Sequence, residues 1–116
     1  MTDRWITIVE TPGYLREAEK ALTQDERKGI IETLARDPKC GDVVPGGGGI
    51  RKVRFAAKGK GKSGGVRVIY YYHSLLMPLY LLTLFGKGER ANLSRAEINS
   101  LSVVAKQLAR TKGEGQ

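Results

Sequence analysis

The run Val66-Arg-Val-Ile-Tyr-Tyr-Tyr-His73 is the most strand-like stretch of this chain. It is filled with β-branched and aromatic side chains, which pack well on a pleated, half-buried surface. The segments on either side of it complete a meander. Upstream, Ile50-Arg-Lys-Val-Arg-Phe55 alternates with period two. Lys52 and Arg54 therefore share one face, and Val53 and Phe55 the other. Such a strand has a core face and a working face. Downstream, Leu79–Phe85 reads as a third strand after a tight turn around Leu76-Met-Pro78. Connections this short favour antiparallel pairing.

The flanks supply helices. Trp5–Val9 alternates and predicts a short first strand. Thr11-Pro12 opens a helix, with Thr11 as N-cap and Pro12 in the first helical position. Tyr14, Leu15, Ala18 and Leu22 form its apolar stripe. Thr23-Gln-Asp-Glu26 is a capping box for a second helix, which Pro38 stops. Gly41 to Gly49 reads as a loop. Ser94-Arg-Ala-Glu97 is another capping box, and Ile98, Leu101, Val104, Ala105 and Leu108 stripe the helix that follows. The polar residues Thr111–Gln116 read as a disordered tail, leaving one domain over residues 1–110. The order is β-α-α-β-β-β-α, an α+β domain with helices packed on a small, mostly antiparallel sheet.

Charge is distributed unevenly along the 116 residues. From Val43 to Gly88 there is no Asp or Glu, while Arg51, Lys52, Arg54, Lys58, Lys60, Lys62, Arg67 and Lys87 all fall there. The remainder holds 12 basic and 12 acidic residues, so the formal +8 belongs to this segment alone. Cations alternating with apolar groups and lacking carboxylates suit a polyanion, and phosphate above all. No apolar run is long enough to span a bilayer. The N-terminus leads into an amphipathic segment, not the apolar core of a signal peptide. The single cysteine, Cys40, forms no internal disulfide, which suits a reducing cytoplasm.

Most familiar chemistries are excluded by their missing partners. Ala56-Ala-Lys-Gly-Lys-Gly-Lys62-Ser63 fits a loose phosphate-loop pattern, but that motif needs a helix directly after it and here a strand follows. His73 is the only histidine, so there is neither a metal-ligand cluster nor a two-histidine nuclease pair, and no metal or other cofactor is expected. Paired carboxylates are absent from the basic segment. Tyr70, Tyr71 and Tyr72 could stack on bases, but alternation commits at least one face to core. Lys52, Arg54 and Arg67 lie on adjacent strands, Lys87 follows the third, and pairing brings these groups to one patch. Such a patch suits the charge that develops on a phosphorane-like transition state. From the residues alone, the chain is a nucleic-acid backbone binder or a phosphodiester-cleaving enzyme.

Three segments carry a family resemblance: Gly49–Phe55, Ser63–Tyr71, and Leu81–Lys87 with Ala91-Asn-Leu-Ser94. Together with the element order, they make residues 4–108 similar to RelE-superfamily toxins of bacterial type II toxin–antitoxin systems, in the HigB-like branch. The resemblance implies a RelE-like, microbial-ribonuclease-like fold. It also implies a metal-independent endoribonuclease that enters the ribosomal A site and cleaves mRNA by 2′-hydroxyl attack. By this resemblance Lys52, Arg54, Arg67 and Lys87 are catalytic, with Arg90 replacing Lys87 if the loop is shifted. Arg51, Lys58, Lys60, Lys62, His73 and Arg90 are expected to contact RNA. The family's catalytic tyrosine has no counterpart between Ala91 and Ser94, which leaves a lysine or His73 as proton acceptor. The implied partners are a cognate antitoxin, commonly with a helix-turn-helix domain, and the ribosome, with no membrane involved. A non-catalytic member that binds RNA or joins an antitoxin complex, and a ParE-like gyrase inhibitor, are the alternatives.

Overall fold

The computed structural model describes residues 5–57, 65–86, 88–89 and 92–113. The elements are β1 (Ile8–Glu10), α1 (Pro12–Ala21), α2 (Gln24–Arg36), β2 (Asp42–Val43), β3 (Ile50–Phe55), β4 (Val66–Tyr71), β5 (Leu79–Gly86) and α3 (Arg95–Gly113). They form an α+β domain around one sheet in the order β1-β5-β4-β3-β2. The β1–β5 pair is parallel and the other three pairs are antiparallel.

The structure corrects four sequence expectations. A two-residue strand, β2, lies inside the segment read as a loop. β1 begins at Ile8 and not at Trp5. β4 ends at Tyr71, two residues before His73. α3 continues to Gly113, into the residues expected to be a disordered tail, because nothing before Gly113 breaks the helix.

The helix starts follow local chemistry. Thr11 Oγ1 accepts from the Tyr14 amide at 3.4 Å and donates to the Leu81 carbonyl at 2.8 Å, so the cap of α1 also anchors it to β5. In α2 the Glu26 amide donates to Thr23 Oγ1 at 3.1 Å, and Glu26 Oε1 accepts from the Thr23 amide at 2.9 Å. The same reciprocal box at Ser94 and Glu97 opens α3. Each box satisfies two amides that the first turn leaves without a helical partner.

Each face of the sheet has its own core. α1 and α2 bury Tyr14, Ala18, Ile30 and Leu34 against Val66, Val68, Tyr70, Leu79, Leu81 and Leu84. On the other face Ile50, Ile69, Tyr71, Tyr80, Leu82 and Phe85 meet Ala105, with Ile98, Leu101 and Leu108 packed at the edge. Each fully buried aliphatic side chain contributes about 1.5–3 kcal/mol. The second cluster does not include Lys52, Arg54 or Arg67, which stand on the same face beyond it.

Candidate active site

Pleating and register bring the cations together. Arg54 and Arg67 are Cα partners across β3 and β4, and Lys52 lies opposite Ile69. Directly opposed residues of an antiparallel pair point to the same side, and residues two apart on a strand do too. All three side chains therefore leave the sheet together. With Cys40, Asp42 and Val53 they line a cleft of about 130 Å³. Pockets for whole small-molecule ligands hold roughly 300–1,000 Å³, so this one suits a phosphate group and not a complete nucleotide.

The cleft is electrostatically unsatisfied. Like charges directly opposite each other destabilise a sheet. Neither the Arg54 nor the Arg67 guanidinium has a hydrogen bond or ion pair among the described residues, and Arg67 Nε is buried without a partner. The two ion pairs seen there, Arg27–Glu10 and Lys20–Glu17, lie on other elements. Lys52 is held differently. Its Nζ donates to Asn92 Oδ1 at 2.9 Å, which ties the strand cation to the segment before α3. An anion accepting from the cleft guanidiniums would supply the missing partners.

The acid-free segment begins at Val43, but β2 places the residue just before it, Asp42, opposite Lys52 on β3. The cleft therefore contains a carboxylate. Asp42 is exposed and makes no ion pair among the described residues.

The segment carrying Asp42 is fixed from beneath. Buried Tyr70 donates from Oη to the Pro38 carbonyl at 2.8 Å and accepts from the Gly41 amide at 2.9 Å. Burial pushes the Tyr70 phenol well above its ordinary value, so it remains a neutral donor. Arg51 Nη1 donates to the Gly41 carbonyl at 2.8 Å and to the Lys39 carbonyl at 3.3 Å. A Cβ on Gly41 would stand 2.7 Å from Tyr70 Oη and 2.8 Å from the Lys52 carbonyl, so only glycine fits. Desolvation at the cleft wall pushes the Cys40 thiol up, and the Asp37 carboxylate adds to the effect. Cys40 is thus a neutral thiol near pH 7, not an activated nucleophile.

Two expected RNA-contacting residues stand apart from the cleft. Arg51 points to the other face and serves the α2–β2 connection, because alternation separates it from Lys52. His73 lies beyond the end of β4, exposed, with Nδ1 3.2 Å from Tyr71 Oη. β4, the strand that carries Arg67, ends two residues before His73. His73 is not among the residues that line the cleft. Lys58, Lys60, Lys62, Lys87 and Arg90 lie outside the described residues. The phosphate-loop reading has no support in the chain direction, since β4 and not a helix follows at Val66. Asn92 and Asp42 were not anticipated. Asp42 could have been found by extending the acid-free window one residue toward the N-terminus.

Two opposed arginines on one sheet face, one with a buried Nε that lacks a partner, are chemically suited to hold an anion. The sequence model of the RelE toxin of RelE/RelB toxin–antitoxin systems matches residues 14–115, and the chain belongs to that family. It is a RelE-type toxin of a toxin–antitoxin system, and its family implies an antitoxin as partner. Among the described residues no helix is long and apolar enough to cross a membrane, and no three His, Cys, Asp or Glu residues group as metal ligands do.

Proposed function

We propose that this toxin is a ribosome-dependent mRNA endoribonuclease of the HigB-like branch, acting without a metal in the cytoplasm. The observation that carries the reading is the opposed, unpaired Arg54–Arg67 couple beside Lys52. Two guanidiniums and one ammonium can hold the non-bridging oxygens of a single phosphodiester. They gain strength as charge builds on those oxygens during 2′-hydroxyl attack, so they favour the transition state over the ground state. Loss of one such donor typically costs about 100- to 1,000-fold in rate. The A site supplies what a 130 Å³ cleft cannot, namely a grip on the rest of the nucleotide and its orientation. Lys87 and Arg90 are proposed to add to the cationic wall, and Lys58, Lys60 and Lys62 to contact the RNA backbone. The antitoxin, by the same reading, carries a helix-turn-helix domain and an acidic or amphipathic segment complementary to this face.

The test is primer extension on mRNA from a reconstituted translation reaction containing the purified toxin, beside a ribosome-free tube. Cuts within translated codons, seen only with ribosomes and lost in Arg67→Ala, are the expected result. Intact mRNA in both tubes would leave a binding-only or gyrase-directed toxin.

A further inference from the structure

We propose that Asp42 is the general base of this toxin and Lys52 the acid that serves the leaving group. The proposal rests on the nuclease reading above and adds to it the proton acceptor that the missing family tyrosine leaves open. Among the described cleft-lining residues there is one group suited to accept a proton. Arg54 and Arg67 are permanent cations. Lys52 is an ammonium whose hydrogen bond runs to Asn92, and Cys40 carries a raised, protonated thiol. Asp42 is the remaining titratable group. It faces Lys52 across the β2–β3 ladder, so base and acid stand on the same side of two adjacent strands.

The support beneath Asp42 is what a positioned base needs. An exposed carboxylate on a free loop would sample many geometries. Here the peptide before it is pinned by Tyr70 through Gly41 and Pro38, and by Arg51 through the Gly41 carbonyl. The strand carrying Asp42 is two residues long, yet it is paired to β3 beside the phosphate-holding cations. Backbone and second-layer hydrogen bonds of this kind hold a reacting group in geometry.

The step balances within the cleft. Asp42 takes the proton of the 2′-hydroxyl as O2′ attacks phosphorus, and a new O2′–P bond forms. The P–O5′ bond breaks, and the departing O5′ takes a proton from the Lys52 ammonium. The products are a 2′,3′-cyclic phosphate and a 5′-hydroxyl. The proton held by Asp42 then returns to neutral Lys52, directly across the ladder, and the enzyme is restored. Nothing is oxidised or reduced, and no water is consumed.

The experiment compares wild type, Asp42→Asn, Asp42→Glu, Lys52→Ala and Arg67→Ala in single-turnover cleavage on programmed ribosomes. Ribosome co-sedimentation is measured alongside. Each enzyme receives two mRNAs, one ordinary and one with a 5′-bridging sulfur at the scissile phosphate, whose leaving thiolate needs no proton. Asp42→Asn is expected to lose at least about 100-fold with either mRNA while still co-sedimenting. Asp42→Glu recovers part of that loss, and Lys52→Ala recovers much of its own loss on the sulfur substrate. Asp42→Asn cleaving like wild type, while Arg67→Ala is inactive, overturns the base assignment and leaves the nuclease reading intact. Rescue of Asp42→Asn by sulfur places the carboxylate on the leaving-group side and also overturns it. A wild-type protein that cuts neither mRNA overturns the nuclease reading, and this assignment with it.

Discussion

Replacing Arg67 with methionine should make the protein more stable while abolishing its activity. Arg54 and Arg67 are directly opposed, and Arg67 Nε is buried without a partner. Like charges at directly opposed positions repel, and two unit charges about 4 Å apart do so by about 1 kcal/mol at the dielectric of water and by about 4 kcal/mol at an effective value of 20. Exposure of Arg54 and salt keep the true figure near the lower bound. Relief of the unpaired Nε adds about 1–3 kcal/mol. Methionine keeps most of the aliphatic packing of arginine, so little is lost in exchange. A net gain of about 2–4 kcal/mol follows, and each kcal/mol is worth about 4 °C in Tm for a domain near this size. The assay is thermal and urea unfolding of both proteins in low-salt buffer, repeated in phosphate. An anion that binds only the native wild-type cleft stabilises it by RT ln(1 + [L]/Kd), which reaches about 2.7 kcal/mol at one hundred times Kd. Phosphate should therefore close the gap or reverse it. The reasoning is refuted if Arg67→Met is the less stable protein without phosphate, or if phosphate raises both midpoints equally.

Three further outcomes follow from the same structure. Gly41→Ala forces a methyl against Tyr70 Oη and the Lys52 carbonyl, so urea unfolding should show a loss of about 1–3 kcal/mol. Cys40 has a raised thiol pKa, so its thiolate fraction at a given pH is lower than that of an ordinary cysteine. Its alkylation rate should keep rising with pH past the point where a model thiol levels off, measured by mass spectrometry of iodoacetamide-treated protein. Leu34→Ala removes a fully buried side chain between α2 and the sheet, and denaturant unfolding should show a loss of about 2–5 kcal/mol with the slope unchanged.

What the sequence disclosed, and what it concealed, divides along the range of the interactions involved. The caps at Thr11, Thr23 and Ser94 were legible because each is satisfied within three residues. β3, β4 and β5 were legible because alternation records which face is buried. β2 was hidden, since two residues following Gly41 and shortly before Pro45 carry no period, and only pairing with Lys52 and Arg51 makes them a strand. The parallel β1–β5 pair joins segments some seventy residues apart, which no local pattern encodes. At the site, Lys52, Arg54 and Arg67 could be grouped because side-chain direction follows parity along a strand. The same parity rule sends Arg51 to the face opposite Lys52, where it donates to the Lys39 and Gly41 carbonyls. His73 falls two residues past the end of β4, where strand parity no longer relates it to Arg67.

The position of β5 in the sheet governs when this protein can become active. It lies between β4 and β1, so the earliest strand has nothing to pair with until the eighth decade of the chain has been made. Lys52 likewise waits for Asn92. Loop-closure entropy is spent before these distant pairings return any stability, so the final docking of β1 belongs to the slow, non-local class of folding events. During synthesis the β1–β5 pairing and the Lys52–Asn92 contact at the cleft are therefore completed late. A ribosome making this toxin is occupied by a chain whose sheet is incomplete and whose Lys52 lacks its Asn92 contact, and the interval before β5 and Asn92 find their partners is a window in which an antitoxin can meet the chain.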